Sequence, residues 1–491
     1  MLARSFTSLA ALALAGLSLA QSSDSSSSAL SSSSATSATA SQPASTDSSS
    51  ATTTGSTAQE TPGFVNNGTV GAYSCAFSEP QQANVTAPVN QLVFLADAPN
   101  VTATDGSDSS NISSPARLAP TTLAECAEAW PPVYPYNAIQ LRAPDDSIRA
   151  VYLPYGASVS ELWVKDRNGV FRDVVLGFDN KTNYGTDKIH PNFGPQVGRY
   201  ANRIKNGTFE INGTTYHTPL NENNYDTLHG GTVGYDRSPY EITQLNASSV
   251  TFVLHDADGN QGFPGSVVAS ASYTLQNSST LIQAMDANVT DDKYSPIMLS
   301  SHTYWNLAAY NESQTILNHT LFMPRADKYI KTDGHLIPTG PIPDTKGTPL
   351  DFTQARTIGS QYNDTEGVCG TNCTGYDTCF VMSSHDRNET VLELTSPESG
   401  IKMSVKTDQD AIQIYSCPGV SAPATKGSLP RKRVHGGDGT LDEIYDNNSC
   451  VVVEMEDYID GINNPAWNRS QIYSKDRPYH WRAEYSFSTV E

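Results

Sequence analysis

The sequence predicts an all-β protein, and three observations carry the prediction. Apolar residues recur in short runs at strand-like spacing, as in Ile139, Leu141, Ile148, Val151 and Leu153. Gly, Pro and Asn turns break these runs every few residues, as at Pro154-Tyr155-Gly156 and Asp166-Arg167-Asn168-Gly169. No stretch sustains the 3.6-residue apolar stripe of an amphipathic helix, so a sandwich or barrel is the expected architecture.

Taken in order, strands are expected around Ile139–Leu153, around Val159–Val164, and at Val174-Val175-Leu176-Gly177. Phe209 to Tyr216 reads as a hairpin, because Asn212-Gly213 suits a two-residue turn between alternating residues. Val250–Leu254 and Ser270–Leu275 continue the pattern, followed by Val391–Leu394, Ile401–Val405, Ala411–Tyr415, Val451–Val453 and Trp481–Phe487. Residues 137–491 form one large β domain on this reading.

The segment before it differs in texture. Met1–Ala20 has a basic start, an apolar run from Leu9 to Leu19 and a small-residue exit, the pattern of a secretory signal peptide. That run is too short to span a bilayer, and no membrane anchor is expected. Residues 21–61 are almost all Ser, Thr and Ala and lack the apolar area needed to offset ordering entropy, so disorder is expected there. Residues 62–136 read as an extension tied by Cys75 and Cys126. Seventeen Asn-x-Ser/Thr sequons suit a secreted, extracellular glycoprotein, provided that those at Asn206 and Asn212 face solvent. In an oxidising compartment some of the seven cysteines should pair, with the cluster at Cys369, Cys373 and Cys379 bracing its own loop. A net charge of -21 disfavours nucleic acid and anionic membranes as partners.

Two segments concentrate chemistry. Gly198 to Ile204 carries Arg199, Asn202 and Arg203, while Thr227-Leu228-His229-Gly230-Gly231 carries a histidine beside two glycines where backbone can approach a ligand. Each arginine offers a fork for vicinal hydroxyls or for a carboxylate, and Asn202 can both give and accept. Farther on, Ser301-His302-Thr303-Tyr304-Trp305-Asn306-Leu307 adds a second histidine, the side chain best suited to proton transfer near neutral pH. Aromatic rings at Tyr304, Trp305 and Tyr376 could pack on the C–H faces of a sugar. Glu454 ends an apolar strand, where apolar walls would raise its pKa toward that of a general base, and Glu456 would share its face. Asp377 could orient an arginine or accept from hydroxyls. Any one of these residues alone reads as readily as a surface, turn or satisfied structural residue. There is no HExxH and no paired CxxC spacing, so neither a metal nor an organic cofactor is expected.

Taken together the segments resemble the aldose 1-epimerase (galactose mutarotase) family. The resemblance runs in order through Pro154–Ala157, Val174–Asp179, Gly198–Ile204, Thr227–Gly231, Asp258–Gly265, His302–Leu307 and Gly375–Asp377. It implies a β-supersandwich with an open hexose cleft. It also implies His302 as general acid and Glu454 as general base, with Asn202, Arg203, His229, Tyr304, Asp377 and Gln413 binding sugar. The implied reaction opens the ring of a free aldose such as galactose or glucose and recloses it as the other anomer. His302 is then expected protonated and Glu454 ionised as the sugar arrives, with Asp377 favouring the former. Departures from the family pattern are Ser301 for Asn, Trp305 for Phe and Met455-Glu456 for Thr-Gln. The N-terminal extension and the insert holding Cys369–Cys379 also lie outside the pattern.

Other readings compete. A sugar-binding module without catalysis would not need both His302 and Glu454. A glycoside hydrolase or lyase would use two carboxylates, whereas the best acid candidate here is a histidine. A hexose-phosphate epimerase would want more Lys and Arg than this acidic chain supplies. A monomer acting on a free aldose is expected.

Overall fold

A computed structural model describes residues 134–310, 313–383, 386–421, 427–438 and 441–491. The expected signal peptide, the Ser/Thr/Ala segment, the pairing of Cys75 with Cys126 and nearly all of the 62–136 extension lie outside the described residues. Within them the elements are almost all strands, with a four-residue α-helix at Asn183–Thr186 and short 3-10 turns. No helix among them is long and apolar enough to cross a membrane.

Three sheets frame the fold. The largest is antiparallel and nine-stranded, running Glu241–Leu245, Ser249–Asp256, Val267–Gln276, Thr280–Val289, Tyr479–Thr489, Ile401–Thr407, Leu392–Thr395, Thr320–Phe322 and Arg356–Thr357. A five-stranded antiparallel sheet runs Tyr304–Trp305, Val451–Glu456, Ala411–Tyr415, Asp377–Val381 and Lys328–Tyr329. A four-stranded sheet is built from Ile139–Arg142, Ile148–Leu153, Ser158–Lys165 and Phe171–Asp173. Their apolar faces meet in one core that includes Leu141, Leu162, Phe252, Tyr273, Met285, Trp481, Ile412 and Val453. These are the large antiparallel sheets that the sequence implies.

The period of two explains which residue faces where. Along Val267–Gln276 the residues Val267, Ala269, Ala271, Tyr273 and Leu275 enter the core, and those between them are partly exposed. In Val451–Glu456 the residues Val451, Val453 and Met455 enter the same core. Each Val, Leu or Met among them contributes about 1.5–3 kcal/mol by leaving water. Alternation therefore aims Val452, Glu454 and Glu456 at the opposite face, and all three are buried there too.

The expected hairpin is present: Ile211 pairs with Thr214, and Asn212 and Gly213 have φ of 52° and 81°, the left-handed pair of a type I′ turn. Asn206 and Asn212 are both exposed, as sequon use would require. One expected strand is different. Val174–Gly177 is a buried connection, bridged only through Val175 to Trp305. The Val175 carbonyl has another partner, since the buried Lys432 ammonium donates to it at 2.8 Å as well as to Asp173 Oδ2 at 2.7 Å. The strand Thr280–Val289, central to the large sheet, escaped the sequence pattern because Gln283, Asp286 and Asn288 interrupt its apolar run.

Two disulfides are described, Cys369–Cys373 and Cys417–Cys450, while Cys379 is a free, buried thiol. The cysteine cluster thus braces its loop with two of its three members. The third sits in a strand beside Gln413, where it packs with Ile330, Val381 and Ile459.

Candidate active site

One face of the five-stranded sheet forms the floor of a cleft of about 930 Å³. Pairing sets the floor residues side by side. Gln413 is opposite Glu454, Tyr415 is opposite Asp377, and Tyr304 is opposite Val452 on the other flank. Gln413 donates through Nε2 to Asp377 Oδ1, fixing both. Two buried acceptors, Glu454 Oε2 and Gln413 Oε1, find no partner among the described residues. Buried acceptors left unpaired are costly unless something that visits the cleft satisfies them.

The opposing wall comes from loops. Asn202 and His229 both adopt left-handed φ, 55° and 49°, and clasp each other. The amide of His229 donates to Asn202 O at 2.9 Å, and the amide of Asn202 donates to His229 Nδ1 at 3.1 Å. An Nδ1 that accepts leaves the proton on Nε2, so neutral His229 is a donor toward a ligand. Arg203 pairs with Leu228 through its backbone, and its guanidinium reaches Glu222 in a fork at 2.7 and 2.8 Å. It also donates to Asn202 Oδ1 at 3.2 Å and lies 4.0 Å from Asp377 Oδ2. Asn202 completes the link by donating through Nδ2 to Glu456 Oε1 at 3.2 Å.

His302 is held by its backbone, its amide donating to Pro195 O at 3.0 Å and its carbonyl accepting from Gly194. Its Nε2 lies 3.6 Å from Glu454 Oε1. The rings of His229 and His302 meet edge to face with centroids 4.9 Å apart, and Tyr304 flanks His302 at 5.1 Å. Tyr304 is itself anchored through its hydroxyl to Pro191 O at 2.5 Å. The structure therefore brings together His302, Glu454, Asn202, Arg203, His229, Tyr304, Asp377 and Gln413 around one cleft.

Burial dominates the electrostatics. It pushes Glu454 up to about 8, helped by the nearby Asp377 charge and opposed by Arg203. It pulls His302 down to about 4, with the Asp236 charge partly restoring it. His229 falls well below its ordinary value through burial and the proximity of His302 and Arg203. Burial likewise raises Asp377, and it raises Glu456 strongly, with the Glu454 charge adding to the effect. The expectation of an imidazolium facing a carboxylate is thus reversed by burial, and Asp236 is the acid whose charge raises the histidine. The proton changes position, not number. Neutral His302 with protonated Glu454 holds the same proton as the ion pair, and a proton moving across the 3.6 Å gap interconverts them.

Other expectations part company with the structure. Arg199 is not in the cleft: it is 1% exposed, ion-paired to Asp256 and donating to the carbonyls of Pro264 and Gly265 at 3.0 and 2.7 Å. It pins the Asp258–Gly265 loop instead. Trp305 packs on Tyr485 and Phe487, and Tyr376 is fully buried in the core, so Tyr304 is the one expected sugar-facing ring on the cleft floor. Gly230 makes room for backbone rather than for ligand, since a Cβ there would stand 2.0 Å from Gly198 O. The sequence offered no sign of Glu222 or Tyr415, because an acid in a turn and a tyrosine ending a strand are both ordinary. Their roles depend on pairings across the chain.

His229, His302 and Glu454 also bring ligand atoms within 4.8 Å of one another, a donor set able to take a borderline divalent cation. The acid–base pair itself needs only its shared proton.

Large antiparallel sheets, a polar cleft with hydroxyl-matching amides, and a histidine–carboxylate pair at its floor define an acid–base enzyme acting on sugars. The aldose 1-epimerase family model matches residues 137–486. A probable aldose 1-epimerase of Arthroderma benhamiae is 42% identical over 361 residues, covering 67% of this chain and 82% of that protein. The galactose mutarotase of Mus musculus is 30% identical, covering 66% of this chain and 86% of its own. Among solved structures, an aldose epimerase homologue from C. elegans superposes with a TM-score of 0.63 at 27% identity, over 72% of this chain and 99% of that one. The chain belongs to the aldose 1-epimerase family, whose members are isomerases.

Proposed function

We infer that the enzyme interconverts the anomers of a free, neutral aldohexose, galactose or glucose, and that it does so outside the cell. The observation that carries the reading is the 3.6 Å approach of His302 Nε2 to Glu454 Oε1 inside a cleft lined by hydroxyl-matching groups. In the proposed mechanism the pair first places its proton on His302. Glu454 then takes the proton of the anomeric hydroxyl while His302 protonates the ring oxygen. The C1–O5 bond breaks, C1 becomes an aldehyde, and rotation about C1–C2 presents the other face. Closure runs the transfers backward, and the pair regains its starting proton. Each transfer contributes on the order of 10²–10⁴-fold. Arg203, Asn202, His229, Asp377 and Gln413 hold the remaining hydroxyls.

A neutral sugar fits the charge of the cleft better than a phosphorylated one. Arg203 is already engaged by Glu222, and Lys188 is the other Lys or Arg of the lining. Export is supported by the pattern of Met1–Ala20 and by the two disulfides, which suit an oxidising compartment. The exposed sequons at Asn206 and Asn212 are then candidates for glycosylation.

Anomer exchange on a panel of aldoses, followed by nuclear magnetic resonance of the anomeric protons, tests the substrate. Fastest exchange on galactose or glucose is expected, whereas exchange no faster than buffer on both would reject the reading. Appearance of the glycosylated protein in culture medium tests export; retention of the full chain inside the cell would reject it.

A further inference from the structure

Proton exchange with Glu454 sets a condition on the other ring nitrogen of His302. Neutral His302 accepts from protonated Glu454 at Nε2 only while its own proton sits on Nδ1, and a buried Nδ1–H needs an acceptor. Nδ1 is buried and completes no hydrogen bond with a described residue, yet the backbone of Asn192 lies near enough to favour protonation of the ring. Loose contacts of this kind in a resting site tighten once substrate is bound. Whatever fixes Asn192 therefore bears on which nitrogen of His302 carries the proton.

Asn192 belongs to the strap His190-Pro191-Asn192, in which His190 and Asn192 have φ of 48° and 57° on either side of the proline. Left-handed backbone at non-glycine residues persists only where the surroundings hold it, and such residues gather at functional sites. Three contacts hold this strap. Asp187 Oδ1 accepts from the amides of Ile189 and His190 at 2.8 and 3.3 Å. The Tyr304 hydroxyl donates to Pro191 O at 2.5 Å. His190 Nε2 lies 3.0 Å from Asp236 Oδ2. The last contact reaches across the site, because Asp236 sits in the turn Tyr235–Arg237, whose first amide donates to Gly198 O at 2.9 Å.

Asp236 is costly for a purely structural tie. It is 4% exposed, shares Oδ2 between His190 and Arg237 Nε at 3.3 Å, and its buried Oδ1 has no partner among the described residues. A neutral residue could hold the same turn without burying an acid. The charge falls instead on His302. Burial lowers the basicity of that ring, and its own backbone, the Asp236 charge and the Asn192 backbone partly restore it.

We propose that His190 and Asp236 are positioning residues for His302. Joined to each other, they hold the strap so that the Asn192 carbonyl accepts from Nδ1–H, which leaves Nε2 to exchange its proton with Glu454 and the sugar ring. Neither takes part in a proton transfer; both act through the strap. The inference rests on the anomer-exchange reading of the His302–Glu454 pair.

The test measures anomer exchange on galactose and glucose in the full chain and in His190→Ala, His190→Gln, Asp236→Ala and the double alanine variant, with circular dichroism to establish folding. His190→Ala should lower kcat on the order of ten-fold, because a misplaced acid–base group slows proton transfer. KM should stay within about two-fold, since the sugar grip is untouched. His190→Gln, whose amide can donate to Asp236 as the imidazole does, should recover most of that loss. The double variant should lose no more than Asp236→Ala alone. Nitrogen-15 resonances of the imidazoles, with His302 assigned by its loss in His302→Asn, should show one Nδ1–H tautomer in wild type and His190→Gln, and a mixture in His190→Ala. Wild-type kcat in His190→Ala, a loss confined to KM, or an unchanged His302 tautomer would overturn the positioning role while leaving the epimerase reading intact. The His190 variants carry the test even if Asp236→Ala fails to fold. Wild type exchanging neither sugar faster than buffer would instead defeat the reading on which the role rests.

Discussion

The strands Val267–Gln276 and Val451–Glu456 follow the same two-residue rule to different ends. In the first, one face is core and the other is partly open, so the alternation of burial is visible along the strand. In the second, all six residues are buried, and only chemistry separates the faces: Val451, Val453 and Met455 on one, Glu454 and Glu456 on the other. Asn202 and His302 reach the carboxylates of the second face, and Glu454 and Glu456 are buried there. The lesson is that an active site on a sheet is a face where burial persists although the side chains are ionisable, and their pKa values move as a result.

The largest effect is expected on the ionisable face: Glu454→Gln and His302→Asn should each lower kcat by about 10²–10⁴-fold with unchanged circular dichroism. Near-normal turnover in either would mean that the role is misassigned. On the apolar face of the same strand, Met455→Ala should cost about 2–5 kcal/mol in urea unfolding with kcat of the folded enzyme nearly kept. A kcat loss matching that of Glu454→Gln would show that the two faces are not separable. Arg203→Lys should lower kcat/KM by about 10–100-fold, because an ammonium cannot fork Glu222 while also holding Asn202; retention of full activity would remove Arg203 from the sugar grip.

The smallest effect concerns stability. Because Glu454 is raised from 4.5 to about 8, its contribution is fully present below about 4.5 and is lost as pH rises through about 8. Glu454→Gln should therefore leave Tm nearly unchanged in acid and raise it relative to wild type at alkaline pH. A wild-type advantage that grows with pH would contradict the buried placement of this carboxylate.

Much of this was legible in the sequence, for definable reasons. Strands with clean alternation, such as Ile401–Thr407, and the Asn212-Gly213 hairpin carry their own local signals. The eight candidate residues were named because ordered motifs resemble a family, and the structure gathers them at one cleft; spacing alone would not have placed His302 beside Glu454. Arg199 misled because a guanidinium that pins Asp256 and two carbonyls looks, in sequence, the same as one that grips sugar. Glu222 was invisible, since its fork with Arg203 joins residues 19 apart with no local pattern to mark it. The protonation of the pair also had to await burial: sequence supplies a histidine and a glutamate, but only packing decides where their proton rests.

The sharing of one proton by His302 and Glu454 is tested most directly by the pH dependence of kcat/KM, followed by polarimetry of fresh α-galactose above the buffer rate. Below about 4 both groups carry protons, and above about 8 neither does, so the account predicts a bell with limbs near those values. In Glu454→Gln the residual activity should lose the limb near 8. A flat profile in the wild type, or an alkaline limb that survives Glu454→Gln unchanged, would contradict it.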